Sequence, residues 1–147
     1  MIFHWLFIIS TLILCAVAAM PTRGWLALAE RVKSSTVRRR QKRLEEALAA
    51  QRRPFTPDES FLDRGVGLAL DHAQGLVFLA VPDGTQTRAE ILPASALGAH
   101  AARTRLENGF QEHFVEISAP GAARPSWRLP CGDAALAFEV DSALSRL

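Results

Sequence analysis

Apolar and polar positions change rhythm four times along this chain. Residues 2–20, IFHWLFIISTLILCAVAAM, contain no Lys, Arg, Asp or Glu. As a helix at ~1.5 Å per residue the run spans roughly 28 Å, close to a bilayer's hydrocarbon thickness, and predicts a transmembrane helix. Residues 25–52 are rich in Ala, Leu, Glu, Arg and Gln without Pro or Gly, which predicts a second helix. Its apolar positions form two patches, Trp25 to Val32 and Leu44 to Leu48, with only Val37 between them. A coiled-coil seam needs several unbroken heptads, so 21–53 is expected to be a solvated or membrane-grazing stalk. "PFTPDES", with two prolines, reads as a linker over 54–60, leaving 61–147 for one small domain.

Beyond the linker the period turns to that of strands. Apolar runs at 66–70 and 76–81 flank Asp71-His72-Ala73-Gln74-Gly75, a hairpin signature with a glycine available for positive φ. "PDGT" at 82–85 predicts a turn, and Thr87 to Leu92 a third strand. Residues 96–106 are rich in Ala, yet "ENG" follows them, so a strand that turns into "FQEHFVEIS" is expected. "SWRLP" adds one more strand. Asp133 then suits the N-cap of a helix on which Leu136, Val140, Ala143, Leu144 and Leu147 recur at helical spacing. The fold class expected is α+β: a transmembrane helix and stalk, then a small antiparallel sheet or partly open barrel closed by the C-terminal helix.

Charge divides the chain in the same places. Residues 23–53 hold ten Lys and Arg against three Glu, a net of +7, whereas 54–147 hold seven Arg against twelve acids, a net of −5. A nucleic-acid reader would carry its basic charge on the folded domain, so nucleic acid is not expected as a partner. Behind an apolar span, the run of Arg31, Lys33, Arg38, Arg39, Arg40, Lys42 and Arg43 predicts contact with an anionic membrane surface. By the positive-inside rule it also predicts a single-pass protein of the inner membrane with its soluble domain in the cytoplasm. Trp5 and Trp25, twenty residues apart, suit the two membrane interfaces. A cleaved signal peptide would need a basic start, which is missing, and Leu14 before Cys15 does not suit a lipoprotein signal.

Candidate chemistry is sparse. His4, His72, His100 and His113 show no metal-ligand spacing, and neither a phosphate-binding glycine loop nor a nucleophile elbow is present. "DRGVG" at 63–67 precedes a strand, the wrong context for phosphate at a helix N-terminus. No catalytic residue, metal or cofactor is expected, and the chain is read as a non-enzyme. The one enzymatic alternative is a thiol enzyme or hydrolase using Cys131 with His113. Asp58, Glu59 and Asp63 read as solvated charges, and Trp127 as a core anchor beneath the terminal helix.

The stretches "GLALDHAQGLVFLA", "AEILPASAL" and "SWRLPCGDAALAFEV" order a β meander before one closing helix, and in this the chain resembles the pleckstrin-homology-like superfold, as found behind a membrane anchor in small bacterial proteins. The resemblance implies a binding scaffold that offers loops or a sheet edge to lipids, peptides or proteins. The first hairpin turn lacks the Lys and Arg of lipid-binding members, which argues against phosphoinositides there. The function expected is that of a membrane-tethered cytoplasmic interaction module with an unidentified protein partner. The alternative is an exported or periplasm-facing envelope protein.

Overall fold

The computed structural model of the protein describes residues 8–13 and 22–147. Residues 8–13 are helical, and helix α1 runs over Thr22–Ala49. The chain divides into two compact units, Met1–Thr36 and Val37–Leu147. In the second unit, β1 (Glu59–Ser60), β2 (Leu68–Asp71), β3 (Leu76–Asp83) and β4 (Gln86–Pro93) form one antiparallel sheet in chain order. β5 (His100–Glu107), β6 (Phe110–Ser118) and β7 (Ser126–Cys131) form another, and helix α2 (Ala134–Leu144) follows.

The hairpin expected across 66–81 forms between β2 and β3, with Gly75 at φ +61° closing the turn. Its strands are apolar without alternation because both faces are covered. Leu68, Leu70, Val77 and Leu79 belong to the main core, which also takes Val115, Ile117, Trp127 and Leu129 from the second sheet and Leu136, Val140 and Leu144 from α2. Ala69, Phe78 and Ala80 point the other way into a smaller core with Leu62 and with Leu44 of α1. The last turns of α1 are therefore docked where a solvated stalk is expected from the sequence. Val37, Arg40, Gln41, Leu44, Ala47 and Leu48, at helical spacing, are its covered positions. The expected linker is likewise built in: Phe55 packs on Phe78, with ring centroids 6.2 Å apart, and Glu59–Ser60 is strand β1.

Asp133 caps α2 as its sequence position suggests, accepting from the Leu136 N–H at 2.8 Å. Leu136, Ala137, Val140, Ala143 and Leu144 are buried, while Leu147 lies beyond the helix and is exposed. Residues 96–106 resolve in favour of a strand, since β5 pairs with β6 from His100↔Ile117 to Glu107↔Phe110 across the turn at Asn108 and Gly109.

Three expectations are corrected. Among the described residues no helix is long and apolar enough to cross a membrane. Residues 8–13 make only about 9 Å of helix, and α1 carries eight Lys and Arg. The rest of the span expected over 2–20 lies outside the described residues. The membrane-anchor and signal-anchor reading is therefore withdrawn. With it goes the placement as a single-pass inner-membrane protein, because both rested on a spanning helix. The partly open barrel is corrected to two separate antiparallel sheets, with no ladder joining β4 to β5 or β7 to the first sheet. Pro93, the 3-10 turn Ala94–Ala96 and the loop to His100 carry the chain out of the first sheet before the second begins.

Candidate functional site

Strand β5 is an outer strand of its sheet, paired only with β6. Ser118 exchanges backbone bonds with the β5 side, accepting from Gly98 N–H at 2.7 Å and donating to the Ala99 carbonyl at 2.8 Å. Backbone direction alternates along a strand, so Ala101, Arg103, Arg105 and Glu107 bond to β6. His100, Ala102, Thr104 and Leu106 turn their N–H and C=O groups to the open edge. The same four residues carry side chains on the face covered by α2, opposite Ile117, Val115, His113 and Gln111.

Helix α2 runs beside this edge. His100 Nδ1 lies 2.7 Å from Asp141 Oδ1, which ties the start of β5 to the last turns of α2. One turn before Asp141 on the same helical stripe stands Phe138, 69% exposed. Following β5 away from His100, Ala102 comes next and then Thr104, whose Oγ1 lies 2.9 Å from His113 Nδ1, and then Leu106, 71% exposed. Phe110, across the hairpin turn, is 79% exposed. On the sheet's other face an open depression of about 260 Å³ is lined by His100, Ala101 and Arg103 of β5 with Glu116 and Ser118 of β6. The arrangement offers an unpaired strand edge flanked by exposed aromatic and aliphatic side chains. It can accept an extended chain through backbone bonds and side-chain contacts.

The residues singled out from the sequence fall elsewhere. Arg31, Lys33, Arg38, Arg39, Lys42 and Arg43 are exposed along α1, and Lys42 Nζ lies 3.9 Å from Glu46. Arg40 is the exception. It is half-buried, its Nε is buried without a hydrogen-bond partner, and burial lowers its pKa despite an opposing influence from Cys131. Trp25 lies within α1, and Trp5 is outside the described residues. Asp58 and Glu59 gather around His72, whose Nε2 is 3.3 Å from Glu59 Oε2, and Arg146 donates to Glu59 at 2.7 Å. Burial alone would raise the Glu59 pKa, but Arg146 and His72 outweigh it and hold the carboxyl below its usual range. Asp63 stands apart on the 3-10 turn Leu62–Arg64.

Cys131 and His113 do occupy facing ladder positions. The thiol donates to the Leu129 carbonyl at 3.5 Å, while His113 Nδ1 is engaged with Thr104. Burial pushes the Cys131 thiol up to about 11, a poor setting for a nucleophile. Among the described residues no three His, Cys, Asp or Glu side chains gather in a way that could hold a metal ion. No protein-family model, no curated protein and no solved structure matches this chain.

The open edge of β5 escaped sequence reasoning because strand order within a sheet is not written in any local period. Its signals were indirect: Arg103 and Arg105 alternate on a strand with no apolar face of its own, and Phe138 sits off the apolar stripe of α2.

Proposed function

We propose that the protein is a non-catalytic interaction module that takes up an extended segment of a protein partner along the edge of β5. The observation that carries this reading is the unpaired edge of His100, Ala102, Thr104 and Leu106, with Phe138 exposed on the helix that Asp141 ties to His100. Main-chain bonds to an added strand provide affinity without sequence preference, and the flanking Phe138 and Leu106 select apolar side chains at alternate positions. The order of four strands, three strands and one helix supports the pleckstrin-homology-like reading, although a fold does not by itself assign a function. The half-buried, weakly acidic Cys131 favours a binding role over thiol chemistry.

Panning a random displayed-peptide library against the full chain tests this. Peptides with alternating apolar residues should be recovered and should lose binding to Phe138→Asp. They should also lose binding to Ala102→Pro, which removes an outward N–H while leaving the bonds to β6 in place. If no peptide is enriched, or if those enriched bind both variants as well as the parent, the reading is wrong.

A further inference from the structure

The four-stranded sheet has its own open edge at β4. Ala80 donates its N–H to the Gly67 carbonyl at 2.8 Å, so the backbone groups of Ala80 point away from β4. Ala80 faces Ala89 in the β3–β4 register, which makes this a non-hydrogen-bonded pair. The N–H and C=O of Ala89 therefore point outward, as do those of Thr87 and Ile91, and no other backbone group among the described residues meets them. Arg88 and Glu90 flank Ala89 on the opposite side-chain face, opposite Val81 and Leu79. Arg88 is paired with Asp83, whereas Glu90 is half-buried without an ion pair or hydrogen-bond partner among the described residues. Beside them lies an open groove of about 600 Å³, which Arg124 and Trp127 also line. The indole Nε1 of Trp127 is buried and has no hydrogen-bond partner.

We propose that β4 is the edge through which two copies of this chain pair, antiparallel about a two-fold axis at Ala89. In that register Ala89 meets Ala89, Thr87 meets Ile91, and about six backbone bonds form between the outward groups. Arg88 stands opposite Glu90 of the second copy, and the reverse, in the non-hydrogen-bonded pairs where side chains approach most closely. The edge is thus self-complementary, as a two-fold interface requires. Register decides the matter: an axis at Thr87 would set Arg88 against Gln86, and one at Ile91 would set Glu90 against Leu92. Only the axis at Ala89 gives the unpaired Glu90 a cation. The guanidinium of Arg88 has five donors and can serve Asp83 and the second copy's Glu90 together. An unrelated peptide would find no such matched charges. The pairing uses the first sheet and leaves β5 open, so it stands independently of the reading above.

Disulfide trapping in the full chain tests the register. With Cys15 and Cys131 replaced by Ser, Ala89→Cys should cross-link two copies on mild oxidation, because directly opposed hydrogen-bonded residues lie ~5.5 Å apart between Cα atoms, within disulfide reach. Arg88→Glu sets carboxylate against carboxylate and should slow trapping by about tenfold or more, and adding Glu90→Arg should restore it. Trapping no faster than with Ala73→Cys, which sits in an exposed turn, overturns the proposal. So does trapping indifferent to Arg88→Glu. A cysteine-free measurement stands beside it: Ala89→Pro keeps every bond to β3, and should reduce the dimer fraction in sedimentation without lowering the melting temperature at dilutions where the parent is monomeric. A parent chain that stays monomeric at every concentration tested, as an edge reserved for a foreign peptide would leave it, also overturns the proposal.

Discussion

Shortening Leu44 to alanine probes the docking of α1 onto the first sheet. Leu44 is 1% exposed and packs against Leu62, Ala69, Phe78 and Ala80, with Phe55 at the margin. Three of the contacts that would have to close a vacated space belong to β2 and β3, whose positions are fixed by ladders on both sides and by the main core beneath. Collapse is therefore limited, and Leu→Ala changes in such sites cost about 2–5 kcal/mol. The second core is small and Ala47, Leu48 and Phe55 are only half-buried, which places the expectation near 3 kcal/mol, toward the lower part of that range. Against a domain stability of ~5–15 kcal/mol this is a large fraction. It corresponds to a fall in melting temperature of roughly 10 °C. Urea unfolding of the full chain, followed by far-ultraviolet circular dichroism, measures it. Leu26→Ala provides the control on the same helix, because Leu26 is 66% exposed and should shift stability by no more than about 0.5 kcal/mol. Equal small effects from the two substitutions would mean that α1 does not dock through Leu44, and the second core would have to be abandoned.

The elements of the β domain were legible because their signals are local. Hairpin turns, the two-residue Asn108-Gly109 turn and the Asp133 cap each follow from side-chain chemistry within four residues. The role of α1 was harder to read, since its covered face contains Arg40 and Gln41 among only four apolar residues and so lacks a clear amphipathic stripe. What recruits it is Phe78, Ala69 and Ala80 on the far face of β2 and β3, more than twenty residues away in sequence. A continuous apolar strand says that both faces are covered, but not by what. The two-sheet arrangement was hidden for a related reason. A meander of seven strands can close on itself or split, and the short excursion from Pro93 to His100 decides between these outcomes through geometry that no spacing rule records. The candidate site depends on that split, because β4 and β5 would not both present open edges if a ladder joined them.

Other consequences can be measured. Leu136→Asp puts a carboxylate among Val140, Ala143 and Leu144 in the main core and should prevent cooperative folding of the full chain, as should truncation before Asp133; a parent-like melting curve for either would make α2 peripheral. Cys131 should alkylate with a pH midpoint near 11, since burial outweighs the nearby Arg40, and a midpoint in the usual thiol range would show that the site is open to water. Glu59 has a folded pKa below its unfolded value, so its contribution is present above the unfolded value and is lost as pH falls through the folded one. Glu59→Gln should therefore weaken the protein at neutral pH and converge with the parent in acid, and a constant gap across that range would contradict the assignment. The last concerns "GVG", whose glycines precede a strand and do not suit a phosphate loop. A Cβ built on Gly67 would lie 1.8 Å from the carbonyl oxygen of Ala80, and Gly67 accepts the Ala80 N–H at 2.8 Å. Both partners are backbone, so no rotamer change can make room, and Gly67→Ala must push β2 away from β3 or break the bond. Both strands are buried on two faces, so either movement disturbs both cores at once and should cost more than the ~1 kcal/mol typical of a point mutation. Gly132→Ala, where a Cβ meets nothing within 4 Å, should leave the unfolding midpoint nearly unchanged. If the two substitutions proved equally tolerated, the close approach of Gly67 to Ala80 would be refuted, and with it the hydrogen-bond parity from which the outward face of β4 was derived.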